Sequence, residues 1–418
     1  MSEQPKPILA YWDVRCLAEP IRLMLEYCGV EFVDKRYPTG DAPMYARPEW
    51  KRDKEGLGFD FPNVPYYICG DFKLTESWAI MKHIGRKYGL LPITAIQSTR
   101  CDMLEGCIED FRNRFIYMCY TTNKEDFEAA KQIYLPRLPE DLKKFERFLG
   151  SNEWLAGDKL TYVDFAFCEA LDSIQLFKPN FLVGFDKLKQ YLERFFSLKA
   201  VADYRSSDRF QKLPLHKFVD KRYPTGDAPM YARPEWKRDK EGLGFDFPNV
   251  PYYICGDFKL TESWAIMKHI GRKYGLLPIT AIQSTRCDML EGCIEDFRNR
   301  FIYMCYTTNK EDFEAAKQIY LPRLPEDLKK FERFLGSNEW LAGDKLTYVD
   351  FAFCEALDSI QLFKPNFLVG FDKLKQYLER FFSLKAVADY RSSDRFQKLP
   401  LHSKYYFWGG SKELQETF

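Results

Sequence analysis

The chain lacks most of the short signatures that announce a function. No two of its cysteines form a CxxC pair, and none of its 4 histidines joins a cysteine at zinc-finger spacing. That removes dithiol redox and structural zinc readings and predicts no metal site. No apolar run approaches the ~18 residues that would span a bilayer. The opening "MSEQPKPILAYWD" has no apolar stretch behind a basic cluster, so no signal peptide is expected. Net charge is only +1, from 62 basic and 61 acidic residues, which leaves no electrostatic footprint for nucleic acid or an anionic membrane. The expectation is a cytoplasmic protein with free, buried thiols. What the chain does have is core-forming material: 46% hydrophobic and 17% aromatic residues over 418 positions, enough for two to four domains.

It also has itself twice. Residues 32–216 recur as 218–402 at a constant offset of 186, without a substitution. Repeat architectures use units of roughly 20–50 residues, so a unit of this size is a domain-scale duplication and no solenoid. Perfect identity points to a very recent duplication or to a join made in assembling the gene. Only copy one is preceded by residues 1–31, and only copy two is followed by the tail 403–418.

One unit reads as two kinds of structure. "PILAYWDV" (7–14) is a short apolar run, a buried strand. In "LAEPIRLMLEYCG", Ile21, Met24, Leu25 and Cys28 share one helical face, with Pro20 in the first turn and Gly29 past the end. "EFVDKRY" (31–37) alternates as a second strand, completing a βαβ unit. Residues 38–62 are loop-rich. "NVPYYICGDFKLTES" predicts a hairpin around Cys69-Gly70-Asp71, and Pro65 suits a sheet edge, a strand start or a cis bond. Thr75 or Ser77 can open the helix "SWAIMKHIGRKYG". From about 95 to 205, long helical stretches dominate, among them "PEDLKKFERFLG" and "LTYVDFAFCEAL" with a capping box, Thr161 and Asp164.

Together, in order and spacing, "ILAYWDVRCLAEPIRLMLEY", "YPTGDAP", "GFDFPNVPYYICGDFKLTES", "LTYVDF" and the tail "HSKYYFWGG" resemble a cytosolic glutathione S-transferase of the mu class. The resemblance implies a fold class of thioredoxin-like α/β N-domain plus all-α C-domain, followed by a second, N-terminally truncated copy. It sets a glutathione-binding domain at 1–90, a helical domain at 95–216, a truncated segment at 218–276 lacking the first strand and helix, and a second helical domain with the tail at 281–418. It implies conjugation of glutathione, a co-substrate with no other cofactor, to hydrophobic electrophiles. It also implies a homodimer or, with this duplication, an intrachain pseudo-dimer.

The chemistry needs a thiolate, the nucleophilic form of sulfur. A free thiol has a pKa of about 8.5, and lowering it by about two units takes roughly 2.7 kcal/mol of differential stabilisation. A neutral hydroxyl donor aimed at the sulfur can supply much of this. By resemblance Tyr11, at the end of the first strand, is that donor. Asn63 and Val64, before Pro65, present main-chain groups to the cysteinyl unit. Glu76 and Ser77 offer a helix start to the γ-glutamyl carboxylate. Trp50 and Lys54 hold the glycine end, with Trp12 and Arg47 adjacent. Asp110 matches a carboxylate that reaches the partner's glutathione amine. Leu17 and Tyr120 match the acceptor pocket, and Phe61 an aromatic key inserted into the partner subunit.

Two residues depart from the pattern. Cys16 stands where the mu pattern has glycine, and Glu76 where it usually has glutamine. Cys16 opens an alternative, a thiol-disulfide reductase; a non-catalytic carrier of hydrophobic ligands is another. Copy two has no counterpart of Tyr11, Trp12 or Leu17. Without the interior first strand its remaining ladder groups lose their partners. Its segment is therefore expected to be non-catalytic and poorly folded or rearranged, with Trp236, Lys240, Asn249, Glu262 and Ser263 as non-functional duplicates. Asp296, repeating Asp110, is a candidate partner contact.

Overall fold

The computed structural model describes residues 5–40, 46–120, 124–212, 240, 242–307, 309–402 and 406–409. It divides into two compact units, Met1–Ile270 and Gly271–Phe418. The division falls inside a helix of copy two rather than at the join near residue 217. The described part of the truncated segment up to Ile270 therefore belongs to the unit that holds copy one.

The first unit begins with β1 (Ile8–Trp12), α1 (Glu19–Tyr27), β2 (Val33–Tyr37) and α2 (Pro48–Asp53). It continues through the hairpin β3 (Tyr66–Cys69) and β4 (Phe72–Thr75) to α3 (Ser77–Tyr88). The sheet order is β2-β1-β3-β4, with β1 parallel to β2 and antiparallel to β3. The first strand is interior, and its Leu9 and Ala10 are fully buried, as an apolar run with neighbours on both sides must be. Val64–Pro65 is cis. α3 opens at Ser77, with Glu76 before it at φ 71, while Thr75 is buried in β4 and caps nothing. Gly89, at φ 77, ends the helix as a left-handed cap.

Five helices follow: α4 (Ala95–Cys119), α5 (Lys124–Leu149), α6 (Tyr162–Phe177), α7 (Asp186–Ser197) and α8 (Lys199–Arg205). α5 starts well before "PEDLKKFERFLG" and runs through Pro136 and Pro139. Each proline removes one intrahelical bond. Tyr134, Leu138, Leu142 and Phe145, at helical spacing and all buried, hold the face down across them. The capping box at α6 forms: Asp164 accepts from the Thr161 amide at 2.8 Å, and also from the Leu155 amide and the Tyr191 hydroxyl, each at 2.9 Å.

Charged side chains fasten the two layers of copy one. Arg15, fully buried, pairs with Glu169 and with Asp172 at 2.6 Å; Asp172 also meets Arg205 at 3.0 Å. Arg22 pairs with Glu19 at 3.0 Å and Asp34 at 3.1 Å, and the Tyr204 hydroxyl donates to Glu19 at 3.0 Å.

In copy two the hairpin returns as β5 (Tyr252–Cys255) and β6 (Phe258–Thr261), followed by a helix, Ser263–Tyr274. Register repeats that of β3 and β4, and Val250–Pro251 is again cis. The expected rearrangement is not seen in this part: a hairpin and the helix after it carry their hydrogen bonds locally, so they keep their shape, with two strands in this sheet among the described residues. Residues 213–239, including the restart at Phe218, lie outside the described residues.

The second unit repeats the helical domain as Ala281–Cys305, Lys310–Leu335, Tyr348–Phe363, Asp372–Ser383 and Lys385–Arg391. The tail closes it. Trp408 is fully buried, edge-on to Phe301 at 5.6 Å and Phe363 at 5.2 Å, and Phe407 packs on Phe313 at 5.0 Å. Phe363 and Phe313 are buried, whereas their counterparts Phe177 and Phe127 in copy one stay half-exposed.

Candidate active site

Tyr11 sits at the buried end of β1, opposite Arg36 of β2. Its core cluster contains Trp12, Cys16, Trp50 and Val64, with Leu17 and Tyr120 packed against it. Five of the residues expected around glutathione and its acceptor, Trp12, Leu17, Trp50, Val64 and Tyr120, are thus gathered about one phenol. Burial pushes the Tyr11 pKa far up, the Cys16 thiol and the Tyr120 phenol push it further, and Arg112 pulls it back. The hydroxyl therefore stays protonated, as a donor must.

Cys16 opens a short 3-10 turn (Cys16–Ala18) at φ 36, a left-handed conformation that glycine adopts without cost. Its side chain lies in the same buried cluster as Tyr11. Burial raises the Cys16 pKa, with Arg112 and the Tyr11 hydroxyl opposing. A reactive cysteine needs a depressed pKa and access; this one is buried and raised, which weighs against the reductase alternative.

Arg112 escaped the sequence reading. It lies on α4, pairs with Glu109 at 3.6 Å, and lines a small cleft with Cys16, Pro20, Phe115 and Ala166. Its buried Nε has no hydrogen-bond partner among the described residues. Only tertiary packing brings this cation of α4 to Cys16 and Tyr11, and no local motif marks it.

The peptide-binding side is built from two loops. Asn63 Oδ1 accepts from the Val64 amide at 2.9 Å, and Asn63 Nδ2 donates to Glu76 at 3.4 Å. This ties the loop before the cis bond to the start of α3, where Ser77 is the first helical residue. Glu76 takes part as an acceptor for Asn63. Across the cluster, Trp50 stacks on Tyr66 at 6.1 Å and meets Trp12 edge-on at 6.3 Å. The Arg47 guanidinium lies 5.1 Å from the Trp12 ring. Lys54 caps α2 and pairs with Glu55 at 3.3 Å at the rim.

The remaining expected residues lie elsewhere. Phe61 is buried. Asp110 pairs with Arg114 at 3.5 Å, and its charge acts on Glu262 of copy two. Asn249 repeats Asn63, with its Oδ1 2.9 Å from the Val250 amide and its Nδ2 3.2 Å from Glu262. Glu262 repeats the left-handed backbone at φ 72, and Ser263 again begins the helix. Asp296 pairs with Arg300 at 3.4 Å. Lys240 is described at its own position, and Trp236 falls outside the described residues. All twelve cysteines are free. Among the described residues no cluster of side chains could hold a metal, and no helix is long and apolar enough to cross a membrane.

A two-layer arrangement of this kind, repeated, matches two family descriptions. The glutathione S-transferase N-terminal domain covers residues 7–86 and 216–272, and the C-terminal domain covers 109–208 and 295–394. The chain belongs to the glutathione S-transferase family, and its fold is the α/β domain and helical domain of that family, present twice. Relatives of the mu class lie near it. Glutathione S-transferase Mu 2 of Rattus norvegicus is 44% identical over 207 residues, half of this chain and 94% of its own length. Mu 1 of Bos taurus is 45% identical over 208 residues, and Mu 3 of Homo sapiens 42% over 216. Among solved structures, the glutathione S-transferase Blo t 8 superposes on half of this chain with a TM-score of 0.47 at 37% identity.

Proposed function

We propose that the chain conjugates reduced glutathione to hydrophobic electrophiles at a single site, in copy one. The carrying observation is the Tyr11 phenol, held protonated by burial within reach of a loop and a helix start suited to a peptide ligand. Glutathione would lie with its cysteinyl main chain along Asn63 and Val64 and its γ-glutamyl carboxylate at Glu76 and Ser77. Its glycine end would face Trp50 and Lys54, near Trp12 and Arg47. The thiol proton leaves to solvent, and the Tyr11 hydroxyl donates to the thiolate. The sulfur then attacks the electrophilic carbon of an acceptor held against Leu17 and Tyr120, and the leaving group departs with the bonding pair. A cytoplasmic location, detoxification and pairing of two helical domains, across chains or within one, belong to the same reading. Copy two, without β1, has no phenol to offer and is assigned no turnover.

The test is turnover of a chloronitrobenzene-type acceptor by wild type and Tyr11→Phe. Loss of about two orders of magnitude in kcat with glutathione affinity retained is expected. Equal turnover in both proteins would remove the tyrosine mechanism. No turnover in either, with retained binding of apolar dyes, would leave a carrier of hydrophobic ligands.

A further inference from the structure

The truncated segment has a physical difficulty. A two-stranded hairpin is at best marginally stable in water, yet Leu260, Thr261 and Ala265 of β5–β6 and the following helix are buried. The same segment meets copy one at several points. Phe247, itself buried, places its ring 4.8 Å from Phe145 and 5.2 Å from Phe148 of α5. Between those two rings, Arg147 donates to the carbonyls of Phe245 at 2.9 Å and Asp246 at 2.6 Å. On α4, Lys268 pairs with Asp102 at 3.1 Å and Glu105 at 3.3 Å, all three nearly buried. Lys82, the same lysine in copy one, reaches the same Glu105 carboxylate at 3.2 Å. Two copies of one residue thus converge on one acceptor, the mark of an approximate two-fold relation between the segments. Gly106 makes room: a Cβ there would lie 2.5 Å from the Glu262 carboxylate.

We infer that residues 245–268 are an internal clamp. They occupy the α4–α5 face of copy one from within the same chain, so that face is closed to a second copy and the full-length protein is a monomer. The clamp and the helices order one another: the helices supply the apolar cover that the absent first strand cannot. The linker makes this contact unimolecular, which favours it over an equivalent contact with another chain at ordinary concentrations. Whether copy one's site turns over does not enter this inference.

Two measurements on the full chain test it. Sedimentation from low to high micromolar concentration is expected to give one species at 49.5 kDa; a dimer of twice that mass in the wild type would overturn the closed face. Hydrogen exchange of Tyr252–Thr261 is expected to be slow in wild type and about tenfold or more faster in Gly106→Leu, whose side chain displaces Glu262. Phe247→Asp, outside the helices, is a second variant that leaves α4 untouched and should give the same loss of protection. Unchanged exchange in Phe247→Asp would show that the hairpin is not held by α5, and the clamp would fall.

Discussion

Cys16 shares a buried cluster with Tyr11, and its backbone is held at φ 36, where a side chain is strained. Its thiol also adds to the upward push on the Tyr11 pKa. Cys16→Gly removes both effects. On the proposed function its kcat/KM should rise severalfold, with the acid limb of the pH profile moving to lower pH as the Tyr11 hydroxyl becomes a better donor. A fall in transferase activity, with disulfide reduction lost as well, would return Cys16 to the reaction. That Tyr11, Trp50 and Val64 come together was legible through the motifs that carry the family resemblance. Arg112 was not, since it comes to Tyr11 from a helix far along the chain and its surroundings read as ordinary amphipathic helix.

At the scale of elements, the join between α1 and α6 depends on one buried guanidinium. Removing one member of a buried ion pair costs about 3–5 kcal/mol, because the charge left behind is uncompensated. Arg15→Met should therefore lower the melting temperature of copy one's unit, as followed by calorimetry, by far more than an exposed arginine would. Copy two shows how the same acids manage without that arginine: Glu355 is exposed, and Asp358 keeps Arg391 at 2.7 Å. The tail has its own dependence. Burial depresses the His402 pKa to about 4, beside the Tyr306 ring at 5.2 Å. The unfolded imidazole takes its proton near 6.5, so the unfolded state binds more protons between pH 6.5 and 4. Stability is complete above about 6.5 and falls as the pH drops through that window. An NMR titration should give His402 a midpoint near 4, and His402→Phe should flatten the pH dependence of unfolding there. The strands and the capping box at Thr161 were readable, being fixed by local pattern, whereas the interior place of β1 was legible only through the family resemblance. The early start of α5 was not, since Pro136 and Pro139 argue locally against a helix that long-range packing sustains.

For the whole molecule, the sequence shows two copies and the structure shows two fates. Identical residues sit in different surroundings because only one copy has β1 before it and only one has Trp408 behind it. The docking of Phe247 between Phe145 and Phe148 could not be read from residues 218–276, whose pattern carries only the loss of a strand. It needs the facing helix, about a hundred positions earlier. Gly106 and Lys268 have consequences of a different kind, for inheritance. Natural selection acts on residues through what they touch. On the proposed function Asn63, Glu76 and Trp50 of copy one answer to a ligand; on the proposed clamp Phe247, Glu262 and Lys268 of copy two answer to an interface. As the gene accumulates substitutions, Lys240 and Asn249 should scatter among lineages that carry this duplication, while Phe247 and Lys268 stay fixed together with Gly106 and Glu105. Saturation mutagenesis scored for folded protein would give the same division without waiting for it.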